Sequence, residues 1–209
     1  MPTFYKAQEA REFIRRPTGD LHGKTVGILG FGGNGRRLAD VLSIFDCRIV
    51  ATDKFPINKP DCVDELLPEN QFGKVLAQSD VVILCVPLTD ETRGMIDAAA
   101  LQQMKPSSLL VNVARGPVVC ESDLVAALQD GVIAGAGLDV TEVEPLAPES
   151  PLWEMSNVVI TPHVGAQSAR RVPDTVDLFC ENVMRFQAGR PLINQVDKRL
   201  GFPVPASSD

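Results

Sequence analysis

A glycine-spaced segment opens the chemistry of this chain: Gly30-Phe31-Gly32-Gly33-Asn34-Gly35 satisfies G-x-G-x-x-G. Glycines at these places let a chain turn tightly and bring its backbone close to a pyrophosphate. The helix expected next offers free N–H groups and the positive end of its dipole. Asp53 lies 18 residues past Gly35, at the end of the following apolar run. A carboxylate there accepts hydrogen bonds from ribose hydroxyls and repels a 2′-phosphate, so NAD is favoured over NADP. Lys54, next in the chain, weakens that preference slightly. The alternative is a generic nucleotide or methyl-donor fold with a similar turn.

Hydride transfer to a nicotinamide needs a group to remove the hydroxyl proton, and histidine titrates near operating pH. The chain has two histidines. His22 precedes the first apolar run and is expected at the surface; His163 follows the last run and is the acid/base candidate. A carboxylate bonded to His163 would orient the ring and stabilise imidazolium. Glu144 is the candidate for that role, Glu142 its rival, and Asp139 could serve a cofactor amide instead. Arg115 presents a charged planar fork suited to the carboxylate of a 2-oxo acid, and could polarise its carbonyl. The alternative for Arg115 is a surface ion pair.

These groups need a scaffold. Thr25–Leu29, Cys47–Thr52, Val81–Cys85, Leu109–Val113, Ala134–Val140 and Val158–Thr161 are short, nearly continuous apolar runs. Runs of this kind suit strands covered on both faces of a parallel sheet. Between them lie helix-like stretches, Arg36–Phe45 and Ser122–Gly131, the second opening on a cap-type Ser. The alternation argues for a doubly wound α/β fold. Ligands of such sheets bind beyond the carboxyl ends of the strands. Val86–Thr89, Ala114–Gly116, Asp139–Glu144 and Pro162–His163 all fall there. A last helix over 167–187 carries Val172, Val176, Phe179, Val183 and Phe186 at helical spacing; core packing is expected, the alternative being a stripe that seeks a partner surface this chain does not supply.

The chain has 209 residues, 44% apolar and 22% charged, which suits one globular domain. Twenty basic against 27 acidic residues leave a net charge of −7, which argues against nucleic acid or an anionic membrane as partner. No Lys or Arg occurs from Gly116 to Ala169, where there are eight acids. That stretch is either a solvated acidic surface or a site whose positive charge comes from its edge, at Arg115. Five scattered Cys show no metal-type or paired spacing, so no metal site and a reduced, cytoplasmic protein are expected. No signal-peptide run and no stretch of 18 apolar residues is present.

Together the motifs resemble the NAD-binding half of the D-isomer-specific 2-hydroxyacid dehydrogenases. The resemblance rests on Gly23–Gly35 (GKTVGILGFGGNG), Val86–Thr92 (VPLTDET), Met104–Pro106 (MKP), Asn112–Gly116 (NVARG) and Leu124–Gly131 (LVAALQDG). It continues through Gly135–Pro145 (GAGLDVTEVEP), Asn157–His163 (NVVITPH) and Asn182–Pro191 (NVMRFQAGRP). It implies a Rossmann-type doubly wound parallel sheet as a single domain, and catalytic Arg115, Glu144 and His163. It thereby implies Glu144 rather than Glu142, and Asp139 on the nicotinamide carboxamide. It also implies cofactor contacts from Gly30, Gly32, Gly33, Asn34, Gly35, Asp53, Val86, Pro87, Thr92 and Ala114.

Asn34 departs from the family pattern, which has an apolar residue before the last glycine. About 24 residues precede the first strand, so the family's substrate domain is expected to be largely absent. The expected organisation is a helix and linker over 1–20, the nucleotide-binding domain over 21–190 and a polar, frayed tail over 191–209. The functional expectation is NAD-dependent interconversion of a D-2-hydroxy acid and its 2-oxo acid by a homodimer. The alternative is a truncated or non-catalytic NAD-binding module, cofactor-sensing or corepressor-like.

Overall fold

Val, Ile and Leu at consecutive positions form strands only where both faces can be covered, and the sheet here is built from such segments. The computed structural model describes residues 2–55 and 58–203. Helix α1 (Pro2–Glu9) precedes β1 (Thr25–Leu29) and α2 (Gly33–Leu42). Next come β2 (Arg48–Asp53), β3 (Glu65–Pro68), α3 (Phe72–Gln78) and β4 (Val81–Leu84). Then follow α4 (Ala98–Leu101), β5 (Leu109–Asn112), α5 (Glu121–Gln129), β6 (Gly135–Leu138) and β7 (Val158–Ile160). All seven strands are parallel, in the order β3-β2-β1-β4-β5-β6-β7. This is the Rossmann-type doubly wound sheet expected from the sequence.

The chain winds outward from β1 through β2 and β3. It then returns to the other side of β1 and lays down β4 to β7. The carboxyl ends of β1 and β4 therefore flank the point where the winding reverses, the position at which open α/β sheets bind ligands. Successive side chains along the central strands alternate between two cores. Val26, Ile28, Ile49, Ala51 and Ile83 enter one core cluster, with Ala39 and Leu42 of α2. Leu29, Val50, Val82, Leu84 and Leu110 enter the other, with residues of α3, α4 and α5. The central strands β1, β2 and β4 thus bury both faces.

Several local expectations need correction. A seventh strand, β3, and helix α3 lie in 65–78, where no element is expected from the apolar runs. β3 is a half-exposed edge strand ending in Pro68, so it lacks the continuous apolar signal of the central strands. Helix α2 begins at Gly33, and Ser43–Phe45 tighten into a 3-10 turn. Ser122 does not cap α5; it sits in the first turn, after Cys120 at the cap position. The Glu142 carboxylate accepts the Glu121 N–H at 2.9 Å, so the helix starts without a capping side chain of its own.

The chain divides into two compact units, Met1–Pro162 and His163–Asp209. The second holds α6 (Arg171–Gln187) and an antiparallel pair, β8 (Val196–Asp197) with β9 (Phe202–Pro203). Within it the Asn182 side chain donates to the Ile193 carbonyl and accepts the Ile193 N–H, tying the following segment back to α6. The stripe expected as core is not buried. Val172 is 70%, Phe179 68% and Phe186 77% exposed, and α6 has no buried residue. Helical spacing identifies an apolar face but not a surface to cover it. The expected frayed tail includes the β8–β9 pair; its tip at 204–209 lies outside the described residues.

Candidate functional site

The glycine turn begins where β1 ends. Gly30 adopts φ +93, and a Cβ there would stand 2.7 Å from the Cys85 carbonyl carbon and the Val86 nitrogen. Only glycine lets the turn lie against the end of β4. Gly30 N–H donates to the Thr52 carbonyl at 3.0 Å, and Cys85 N–H donates to the Leu29 carbonyl at 2.7 Å. No side chain caps α2 at Gly32. Gly32, Gly33 and Asn34 are exposed at that helix start, and Gly35 is buried beneath them. An uncapped helix N-terminus behind a tight turn suits a pyrophosphate. Arg36 lies over the Phe31 ring, 5.5 Å from its centroid, and fixes the residue between the first two glycines.

Asp53 does more than the sequence indicates. Its Oδ2 accepts the Phe31 N–H at 2.8 Å and its Oδ1 accepts the Phe55 N–H at 2.9 Å. The acid at the end of β2 therefore pins the glycine turn of β1. A carboxylate has about four acceptor positions, so capacity remains for ribose hydroxyls.

On the other side of the turn, Val86 is half-buried and Pro87 exposed. The Thr92 hydroxyl donates to the Pro87 carbonyl at 2.6 Å and accepts the Thr89 N–H at 2.8 Å. Thr92 thus shapes the loop that carries Val86 and Pro87. Burial pushes the Cys85 thiol up to about 11, so it stays protonated at neutral pH and is no nucleophile.

Beyond β5 the chain carries Arg115. Asn112 is buried in the strand end. Its side chain donates to the Arg115 carbonyl at 3.1 Å and accepts the Ala114 N–H at 3.0 Å. Arg115 Nη1 donates to the Ala114 carbonyl at 2.6 Å, and the residue is exposed. A Cβ on Gly116 would collide with the Thr141 carbonyl, so the Arg115 loop packs directly on the loop after β6. Asn112 is a positioning residue missed in the sequence. Its signal is a buried amide within the apolar run Leu109–Val113, which must be hydrogen-bonded somewhere.

The loop after β6 separates the rival acids. Glu142 and Glu121 exchange hydrogen bonds, each carboxylate accepting the other's N–H, at 2.9 and 3.1 Å. Glu142 is thereby committed to the start of α5. Glu144 is exposed and accepts the Thr141 N–H at 3.2 Å. Asp139 N–H donates to the Asn112 carbonyl, and Asp139 Oδ1 accepts the Thr161 hydroxyl at 2.5 Å. The first unit therefore brings together the glycine turn, Asp53 and Val86 around the reversal point. Arg115, Asp139 and Glu144 lie on adjacent loops of the same sheet edge.

His163 is exposed and opens the second unit with φ 53, in the left-handed region. Few non-glycine residues adopt it, although His is enriched among those that do. His22 is exposed, 3.8 Å from Asp46.

Sheet order, reversal point and glycine turn define a dinucleotide-binding domain. The family model for "D-isomer specific 2-hydroxyacid dehydrogenase, NAD binding domain" matches residues 1–165, and the chain belongs to that family. It is 43% identical over 171 residues to a glyoxylate reductase of Pyrococcus furiosus, covering 81% of this chain and 50% of that protein. It is 38% identical over 177 residues to a glycerate dehydrogenase of Methylorubrum extorquens, covering 84% of this chain and 54% of that protein. The chain thus spans about half the length of these relatives. A D-isomer specific 2-hydroxyacid dehydrogenase from Xanthobacter autotrophicus, solved with NADPH and MES, superposes with a TM-score of 0.86 at 38% identity. That match covers 96% of this chain and 82% of that one.

Proposed function

We propose that the chain is the cofactor-binding and catalytic half of an NAD-dependent oxidoreductase interconverting a D-2-hydroxy acid and its 2-oxo acid. The reading is carried by one observation: the pinned glycine turn, Arg115, Asp139 and Glu144 share one edge of the sheet, while Glu142 is committed elsewhere. A bound nicotinamide supplies or accepts the hydride. The uncapped start of α2 holds the pyrophosphate, Asp53 the adenosine ribose, Val86 and Pro87 line the groove, and Asp139 orients the carboxamide. Arg115 clamps the substrate carboxylate and polarises the 2-oxo group. His163 gives its proton to the carbonyl oxygen in reduction and takes it from the hydroxyl in oxidation, and Glu144 stabilises the imidazolium. The left-handed backbone of His163 supports a functional placement.

NAD rather than NADP rests on the Asp53 carboxylate. Five free thiols support a reducing, cytoplasmic setting. The exposed apolar stripe of α6 supports a homodimer. Small 2-oxo acids such as glyoxylate are the first substrates to assay, by NADH oxidation on this chain and on any longer form. His163→Ala lowers kcat/KM by about 10²–10⁴-fold, and Glu144→Gln lowers it less. Unchanged turnover in His163→Ala would overturn the acid/base assignment. A second reading is a non-catalytic NAD-binding module of the same family. NADH binding without turnover would support it.

A further inference from the structure

The strands that end in Asp53 and Leu84 lie on either side of β1, so residues just past them stand on opposite flanks of the glycine turn. Lys54 follows β2, and Glu91 lies on the loop after β4. Their side chains pair across this interval, Nζ to Oε1 at 3.7 Å. Lys54 is the more enclosed partner, with 35% of its side chain exposed against 70% for Glu91.

Glu91 is held in place on its own loop. The Thr89 side chain, the Glu91 backbone amide and the Lys54 ammonium keep its carboxyl below the usual carboxylate range. Thr89 is in turn fixed by Thr92.

The charges matter because of their place. Asp53, Lys54 and Glu91 together carry a net −1 at the strand end where the adenosine ribose is read. A 2′-hydroxyl needs an acceptor there; a 2′-phosphate needs an uncommitted cation. The similar Xanthobacter protein holds NADPH, so the fold itself does not exclude a 2′-phosphate.

We propose that Glu91 is a specificity-determining positioning residue: by occupying Lys54 it withholds a cation that a 2′-phosphate would use, and so adds to the preference for NAD that Asp53 sets. This rests on the reading that the glycine turn and Asp53 hold a nicotinamide dinucleotide. Removing the Glu91 charge brings the corner to net zero and releases Lys54 toward the ribose, while Asp53 stays in place.

The test is equilibrium binding of NADH and of NADPH to the full chain, followed by nucleotide fluorescence. The wild-type protein binds NADH more tightly. Glu91→Gln raises the NADPH-to-NADH affinity ratio about threefold, the scale of an exposed charge pair, and the gain shrinks as salt screens it. The double variant Lys54→Gln with Glu91→Gln loses that gain, because the effect acts through Lys54. A purely structural role for Glu91 would move both affinities together and leave the ratio unchanged. An unchanged ratio in Glu91→Gln, or a gain that survives in the double variant, overturns the proposal and leaves the cofactor reading standing. A wild-type chain that binds neither nucleotide overturns the cofactor reading and this proposal with it.

Discussion

Strand β1 is gripped at both ends by a carboxylate from a neighbouring segment, and the two grips serve different ends. At its start, Asp80 Oδ2 accepts the Thr25 N–H at 2.8 Å, and Asp80 N–H donates back to the Thr25 carbonyl. At its finish, Asp53 Oδ2 accepts the Phe31 N–H at 2.8 Å. The device is the same, but the charge is treated differently. Asp80 is closed by Lys105, whose Nζ donates to Oδ1 at 3.0 Å. Asp53 has no ion pair among the described residues, and its second oxygen takes only a backbone N–H. A carboxylate neutralised by its own chain holds a sheet together. One left charged at the reversal point retains acceptor capacity for a ligand.

The largest effect is expected at the turn itself. Gly30→Ala places a methyl group 2.7 Å from backbone atoms of Cys85 and Val86, in a conformation with φ +93. The turn must move away from β4, and the Phe31 N–H leaves Asp53. A loss of about 2–3 kcal/mol in urea unfolding is expected, with nucleotide binding abolished. Wild-type stability and NADH affinity in this variant would show that the turn is not fixed as described.

Asp80→Asn comes next. It keeps the shape at the start of β1 but removes the charge that Lys105 faces. A cost of about 1–2 kcal/mol at neutral pH is expected, with NADH affinity unchanged. Its pH dependence carries a sign. The Thr25 amide and Lys105 hold the Asp80 carboxyl below its ordinary value in the folded protein. Its contribution is therefore complete above the ordinary carboxylate range and is lost as pH falls through the depressed folded value. Urea unfolding across that acid range should show a shallower loss of stability in Asp80→Asn than in the wild type. Parallel curves would remove Asp80 from the account.

Much of this contrast is legible in the sequence, because it follows from local pattern. The apolar runs locate six of the seven parallel strands, and the glycine spacing locates the turn. Burial is what pattern does not convey. Helix α5 buries Leu124, Ala127 and Leu128, whereas α6 buries none of its stripe, although both have apolar residues at helical spacing. A stripe records a preference; whether another surface meets it depends on tertiary packing. The partners of polar side chains are equally non-local. Nothing in the spacing of Glu142 and Glu144 shows that Glu142 answers the N–H of Glu121, 21 residues earlier. Asp53 is legible as an acid at a strand end. Its grip on Phe31 is not, because the two lie 22 residues apart and meet only once β1 and β2 pair.

Asp53→Asn tests the smallest difference in stability and the clearest difference in role. The asparagine oxygen can still accept the Phe31 N–H, the half-buried Phe55 N–H turns to solvent instead, and no cation is left unpaired. A stability change below about 1 kcal/mol is expected, less than at Asp80. The lost charge acts instead on the ligand, since a neutral amide accepts less strongly from ribose hydroxyls and no longer repels a 2′-phosphate. NADH affinity should fall about tenfold, the effect of weakening hydrogen bonds to a charged acceptor, and NADPH affinity should fall less. Equal stability losses at Asp53 and Asp80, with both nucleotides still bound as by the wild type, would mean that the two ends of β1 are the same structural clamp. Fluorescence titration alongside urea unfolding separates the outcomes, because one reads the ligand's use of the carboxylate and the other the chain's.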